Sequence, residues 1–544
     1  MKTKSINAWA GTALPWLPLL GTWLVSGFLC WGFLQTLPGY LPIDDCYIVL
    51  SYARNIVEHG EVFAYNHGVP STGITCPLYG ILIAVGKLLF SDWLHSVQAV
   101  GFVSFACALV AGSAWTFFLA GEGWRGRLAA CLFSLFWGCW GYVHFFAFLG
   151  MEPILFIALA LSSALLFQRG RTFPAGLLLG LAALCRPEAV FMGTLYGLLP
   201  AYRFVRAAVR KDRPGVKAAF VEGILLGAGF MLAYGPWMVD CLVVNGSVFP
   251  LTVSTKTASK IDWNGVRNYL SVFLHWTDPG HWFFTIPASQ LPRTGWMAFR
   301  SSFPVGVVPL AVLFFLWRRP RDFLPALFPV VHFLLTFSRN WNAGENMRYL
   351  PFDFTIGLAC FSVLAARLVG LPFSARRDVS RTGKYLRWGA SATACIASVL
   401  LVLTTIADRR FHEIHFRVMS NYFHFLDYSI GEWLAKNTPK ETTVALYQAG
   451  GIKFFGNRTI IDGGAVTDHT MLPYARRKKE MAEAIVERDA DYVAPFGDEW
   501  LASSGLHMRD PRFFTPVNLR CRGLYKVNKP ALREYVNARW PLGE

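Results

Sequence analysis

Charge is what this sequence has least of. Only 16% of its 544 residues are Asp, Glu, Lys or Arg, against about a quarter in an ordinary soluble domain, which excludes a chain that is water-soluble throughout. Cysteine patterns are missing too. The 11 Cys are scattered, mostly inside apolar runs (Cys30, Cys107, Cys131, Cys139, Cys360, Cys395), with no CxxC pair and no Cys/His zinc spacing, so they read as small buried residues. No GxGxxG or P-loop pattern leads a strand into a helix, so nucleotide chemistry is not signalled. The basic, then apolar, N-terminal segment lacks a small-residue cleavage site before the first acidic pair. It reads as an uncleaved first span with its N-terminus in the cytoplasm.

What is present is apolar. Hydrophobic residues make up 54% of the chain, aromatics 15%, and the mean hydropathy is +0.38, the signature of a polytopic α-helical membrane protein. The net charge of +17 resembles that of nucleic-acid binders. Here, however, the Lys and Arg residues sit in short blocks between apolar runs, as cytoplasmic loops do, so no nucleic-acid partner is expected.

Crossing about 30 Å of hydrocarbon takes roughly 20 residues. Candidate spans lie near 10–34, 95–120, 128–147, 150–168, 218–242, 301–317, 322–338, 349–368 and 389–407, with a paired run at 173–205. A shorter stretch, 76–90, carries Gly80, Gly86 and Lys87. If it lies in the interface and 173–205 turns as a helical hairpin near "CRPEAV", every basic block (Arg125/Arg127, Arg169/Arg171, Arg203 to Arg213, Arg318 to Arg321, Arg376 to Arg387) falls on the cytoplasmic side. That parity gives about eleven spans. It makes 1–408 a membrane module with a large external loop at 35–93 holding two interfacial helices, and 409–544 an external domain. The tail has ordinary polarity. Its strand-like runs "TTVALYQAG", "RTIIDGG" and "ADYVAPF", with helical "DYSIGEWLAKN" and "RRKKEMAEAIVERD", predict a small α/β domain.

The same parity brings Asp44, Asp45, Glu152, Arg186, Glu188, Lys256 and Arg348 to the external face. Ionisable groups at membrane depth are costly unless paired or facing a cavity, so their convergence marks a site. Adjacent carboxylates such as Asp44 and Asp45 have separated proton affinities. Asp44 is expected to cap the amphipathic helix that begins there.

The run "DDCYIVLSYARNIVEHGEVFAYNHG" followed by "STGITCPLYG" resembles the first external loop of bacterial GT-C glycosyltransferases, above all those similar to mycobacterial terminal arabinofuranosyltransferases. "GMEP", "LAALCRPEA", "NGSVFPLTVSTKTA", "MRYLP" and "AGGIKFFGNRTIIDGGAVTDH" match later family motifs in order. Two places depart: Leu251-Thr252 stands where the family has Asn-Thr, and "NAGEN", with Glu345, replaces an acidic "GGD". An arabinose donor therefore does not carry over.

The resemblance implies a GT-C fold, a bacterial inner membrane location and a polyprenyl-phosphate-linked sugar as donor. The acceptor would be a glycan, lipid or protein hydroxyl, and the reaction would take place at the periplasmic face among membrane lipids. Such chemistry needs a base for the acceptor proton and positive charge on the departing phosphate. Asp44 is expected as the base, with Asp45 orienting the acceptor or a cation. Arg54, Arg186, Lys256 and Arg348 are the candidates for the phosphate, and Glu152, Glu188, His67 and Tyr349 for acceptor binding or support. Asp44, Asp45 and Glu152 also offer oxygen ligands suited to Mg, Mn or Ca, so a divalent cation stays open. His59, His67 and His144 suit hydrogen bonding better than ligation. The competing class is a transporter or flippase of lipid-linked sugars, but the second half shows no repeat of the "DDCYIV" block. A non-catalytic scaffold leaves the external charges unexplained.

Overall fold

The computed structural model describes residues 14–252, 263, 319–332, 334, 350–372, 381–475, 480–494, 501, 504–517 and 523–540. Helix α1 (Leu17–Leu34) leads into the first long loop, which holds α2 (Asp44–His59) and α3 (Pro77–Leu89). These are the two helices expected between the first spans. The bundle continues with α4 (Trp93–Ala120), α5 (Trp124–Gly138), α6 (Gly141–Phe148) and α7 (Pro153–Gln168), then the hairpin α8 (Thr172–Ala183) and α9 (Ala189–Val209), and α10 (Arg213–Asn245). After it come the short α11 (Pro320–Ala326) and α12 (Phe328–His332), then α13 (Pro351–Val369) and α14 (Arg381–Phe423).

By length and composition, five of the described helices can cross a membrane, six if α5 and α6 count as one span. Residues 301–317 of the expected eleven spans lie outside the described residues. The run 128–147, expected as one span, is bent by 63° between α5 and α6. The reason is tertiary. A β-carbon on Gly141 would come within 2.5 Å of the Arg409 backbone of α14, so the chain turns where the two backbones touch. Helices α8 and α10 approach as closely through small residues: a β-carbon at Gly176 would lie 2.1 Å from the Leu226 carbonyl, and one at Gly229 2.3 Å from that of Phe173.

One end of the bundle gathers the basic blocks. Arg125 donates to the Gly370 carbonyl (3.0 Å) and Gln168 to Asp322 (2.6 Å). Glu222 takes both Arg203 (2.7 Å) and Arg321 (2.6 Å). The opposite end carries the tail. Helix α14 runs for 43 residues, roughly 65 Å at 1.5 Å per residue, about twice the hydrocarbon thickness. It passes through residue 408 without a break. The composition change there is a buried polar contact: Asp408 accepts from Trp140 Nε1 (2.8 Å) and pairs with His412 (3.1 Å).

Beyond one π turn (His424–Tyr428), the tail consists of α15 (Ser429–Asn437), β1 (Thr443–Leu446), α16 (Gly451–Gly456), β2 (Thr459–Asp462), α17 (Met481–Glu487), β3 (Tyr492–Ala494), β4 (Phe514–Pro516), β5 (Tyr525–Val527) and α18 (Lys529–Arg539). The five strands form one sheet in the order β2-β1-β3-β5-β4. The first three are parallel, with Thr443 opposite Thr459 and Val444 opposite Tyr492, and β5 and β4 are added antiparallel. The three strands expected from sequence are β1, β2 and β3; β4 and β5 are additional.

Candidate functional site

Helix α2 starts at Asp44 with both carboxylates in its first turn, where free N–H groups and the helix dipole favour negative charge, and ends at Gly60 in the left-handed conformation (φ 71°). Asp44 does not cap this helix. The flanking position belongs to Ile43, in extended conformation and without a side-chain cap, so the Asp44 carboxylate, one residue inside, is directed elsewhere. Its Oδ1 accepts from the Gly451 N–H (2.6 Å) and its Oδ2 from the Gly450 N–H (2.9 Å), at the start of α16 in the tail. Gly450 is required for this approach, since a β-carbon there would lie 2.0 Å from the Asp44 carbonyl oxygen. Asp44 is only 7% exposed. Burial raises its carboxyl to about 7, against the Gly451 and Gly450 N–H groups, which favour the ionised form; the charges of Asp45 and Asp462 push the same way as burial.

The tail is seated on the first loop by a row of such contacts. Tyr65 donates its hydroxyl to the Ala449 carbonyl and Ser71 to that of Thr467. Asn66 donates to the Ile460 carbonyl (2.9 Å) and accepts from the Ile460 N–H (3.0 Å) and Lys453 (3.2 Å). Asp462, at the end of β2, accepts from the N–H groups of Gly464, Val466 and Thr467 (2.9, 2.8 and 2.7 Å), which shapes the turn that lies on Gly73. Arg54, expected on a phosphate, donates to the Phe454 carbonyl and lies 4.1 Å above its ring. It belongs to this seat.

A second cluster is fully buried. Arg186 donates from Nη1 to Glu152 Oε1 (2.8 Å) and from Nη2 to Glu188 Oε1 (3.0 Å). The guanidinium expected on the phosphate therefore bridges two carboxylates. Next to them His332 pairs with Asp353 (2.9 Å), two residues that sequence reasoning missed; the one signal was an acidic residue just inside the apolar run after "MRYLP". Main-chain contacts bring the cluster towards α2. Cys46 Sγ donates to the Leu149 carbonyl (2.6 Å), the Leu78 N–H to that of Leu184 (3.3 Å), and the Leu251 N–H to that of Thr72 (3.3 Å). Segments 44–46, 72–79, 149–152, 184–188 and 251–252 thus meet at the end of the bundle that bears the tail. Lys256, Arg348, Tyr349 and Glu345 lie outside the described residues. His67 is not in the cluster: it stacks on His59 (4.0 Å), pairs with Glu61 (3.0 Å) and is 67% exposed.

The oxygens of Asp44 and one oxygen of Glu152 are committed to N–H donors, and among the described residues no group of three or more His, Cys, Asp or Glu side chains could hold a metal ion.

This arrangement of helices has parallels among solved structures. ArnT from Cupriavidus metallidurans, in a crystal structure bound to undecaprenyl phosphate, superposes with a TM-score of 0.52 over 95% of this chain and 98% of its own, at 15% identity. The Archaeoglobus fulgidus oligosaccharyltransferase gives 0.53 over 87% of this chain and 67% of its own, at 13% identity. The chain has the GT-C fold. The arabinosyltransferase EmbB from Mycobacterium smegmatis aligns over 72% of this chain and 41% of its own, with a TM-score of 0.33. Within this chain, residues 412–535 match a family described as a domain of unknown function (DUF8728). No curated protein matches the sequence.

Proposed function

We propose that the chain is a membrane glycosyltransferase that moves a sugar from a polyprenyl-phosphate donor to an acceptor hydroxyl on the external face of a bacterial inner membrane. The observation that carries this reading is Asp44. It is a buried carboxylate in the first external loop of a GT-C fold, raised to about 7, aimed by two backbone N–H groups, and set at the end of the bundle opposite the basic blocks. A general base works best with a proton affinity near the operating pH. The likeness to ArnT, whose structure holds undecaprenyl phosphate, supports a lipid-phosphate donor.

In the reaction, Asp44 takes the proton of the acceptor hydroxyl as its oxygen bonds to the anomeric carbon. The bond from that carbon to the phosphate oxygen breaks, and its electrons leave with the polyprenyl phosphate. Asp45, half-buried on the next position of α2, orients the acceptor. Lys256 and Arg348, in segments that resemble the family's motifs, supply positive charge to the phosphate. Arg186 has a different task, holding Glu152 and Glu188.

Asp44→Asn keeps the shape of the side chain but cannot take a proton. In reconstituted protein its turnover falls by about 10²–10⁴, while affinity for polyprenyl phosphate, measured by calorimetry, stays near wild type. Wild-type turnover in both Asp44→Asn and Asp45→Asn would reduce the pair to a structural latch and remove the proposal.

A further inference from the structure

Buried polar atoms left unused by hydrogen bonding collect around Arg186. Glu152 and Glu188 each give Oε1 to its guanidinium, and in each the second oxygen, Oε2, has no partner. Asp353 repeats the pattern, with Oδ2 on His332 and Oδ1 unpartnered. The Tyr79 and Thr72 hydroxyls are also unpartnered. All five side chains are more than nine-tenths buried. All but Thr72 share one neighbourhood: Tyr79 lies among Cys46, Cys76, Cys185 and Glu152, and the Asp353 carboxylate lies within reach of the charges of Glu188 and Arg186. The Cys76 thiol, a weak donor, sits beside Glu152.

A native interior leaves few buried polar atoms unsatisfied, because each has lost its hydration and gained nothing in return. Several in one place call for a ligand that donates hydrogen bonds to carboxylates and exchanges them with hydroxyls. The charge balance decides its class. Among the described residues three carboxylates face one guanidinium and one imidazole, a balance that disfavours a phosphate beside these oxygens and suits a neutral polyol. We propose that Glu152 Oε2, Glu188 Oε2 and the Tyr79 hydroxyl form a subsite that reads sugar hydroxyls, with Arg186 as the positioning residue that holds one oxygen of each glutamate and so presents the other. This inference rests on the glycosyl-transfer reading of the site. It separates a sugar end, built from these acids, from a phosphate end.

The test uses the full chain in lipid nanodiscs. Its probes are bare polyprenyl phosphate and polyprenyl phosphates bearing arabinose, mannose or glucose. Tyr79→Phe is the main variant, because it deletes only an unpartnered hydroxyl; a merely structural role predicts equal or greater thermal stability and unaltered binding. Glu188→Gln is the second. We expect Tyr79→Phe to lower the affinity for the preferred sugar lipid by about 3–10-fold and Glu188→Gln by about tenfold or more, with bare polyprenyl phosphate unaffected in both. If the hydroxyls read are those of the acceptor, sugar-lipid affinity holds and the acceptor KM rises by similar factors, which supports the subsite and assigns its source. Unaltered sugar-lipid affinity and unaltered acceptor KM in both variants mean that ordered water alone satisfies these atoms, and the subsite is overturned while the transfer reading stands. A wild-type chain that binds none of the lipids overturns the transfer reading, and the subsite with it.

Discussion

Asp44 shows how far single residues can be read from sequence. An adjacent acidic pair directly after the first apolar run is visible by inspection. Its partners are not: the two N–H groups that hold Asp44 belong to glycines 406 and 407 positions away, and a backbone donor leaves no side-chain signal. Arg54 and Arg186 were legible as candidate phosphate-binding cations, but not for what they hold, because a guanidinium serves a carbonyl, a carboxylate or a phosphate with the same fork. The state of Asp44 yields a prediction. Only the ionised carboxylate takes a proton, and burial lifts it to about 7, so kcat/KM falls about tenfold per pH unit below that value. The charge of Asp45 contributes to the lift, so Asp45→Asn shifts the acid limb to lower pH. A pH–rate profile of the two proteins checks both; an acid limb in the ordinary carboxylate range for wild type speaks against Asp44 as the base.

Elements were legible where composition alone decides them. The hairpin of α8 and α9 follows from two apolar runs around "CRPE", and α3 from an apolar run too short to span. The bend between α5 and α6 was not legible, because hydropathy is continuous across it and the cause is a contact with α14 far along the chain. The same holds for the passage of α14 through residue 408, where polar residues signalled an end and the helix buried them instead. The crossing of α8 and α10 can be tested directly. Gly229→Leu places a side chain where the Phe173 carbonyl stands 2.3 Å from the would-be β-carbon, so the helices must separate, at a cost of about 1–3 kcal/mol typical of overpacking. Thermal unfolding in detergent reads this as a lowered midpoint. An unchanged midpoint shows that the pair tolerates a wider spacing.

For the molecule as a whole, the counting of positive charge and the structure agree on what is gathered where. Arg125, Arg203 and Arg321 are bonded at one end, and the sheet-bearing tail sits at the other. By the positive-inside rule the first end is the one expected in the cytoplasm. On a Cys-free background, single cysteines near Gly464 should react with an impermeant maleimide added outside intact cells, and those near Arg125, Arg169 and Arg319 should not; the reverse pattern inverts the topology. The grip of Asp44 on the start of α16 also sets a timetable. The acid is made 406 and 407 residues before the two glycines that seat it, and the described helices from α4 to α14 are made in between. Until then its carboxylate has no fixed place. A chain halted before α16 therefore carries the acidic pair of the first loop without the N–H groups that hold Asp44, so the seating of the tail is itself the step that aligns the acid.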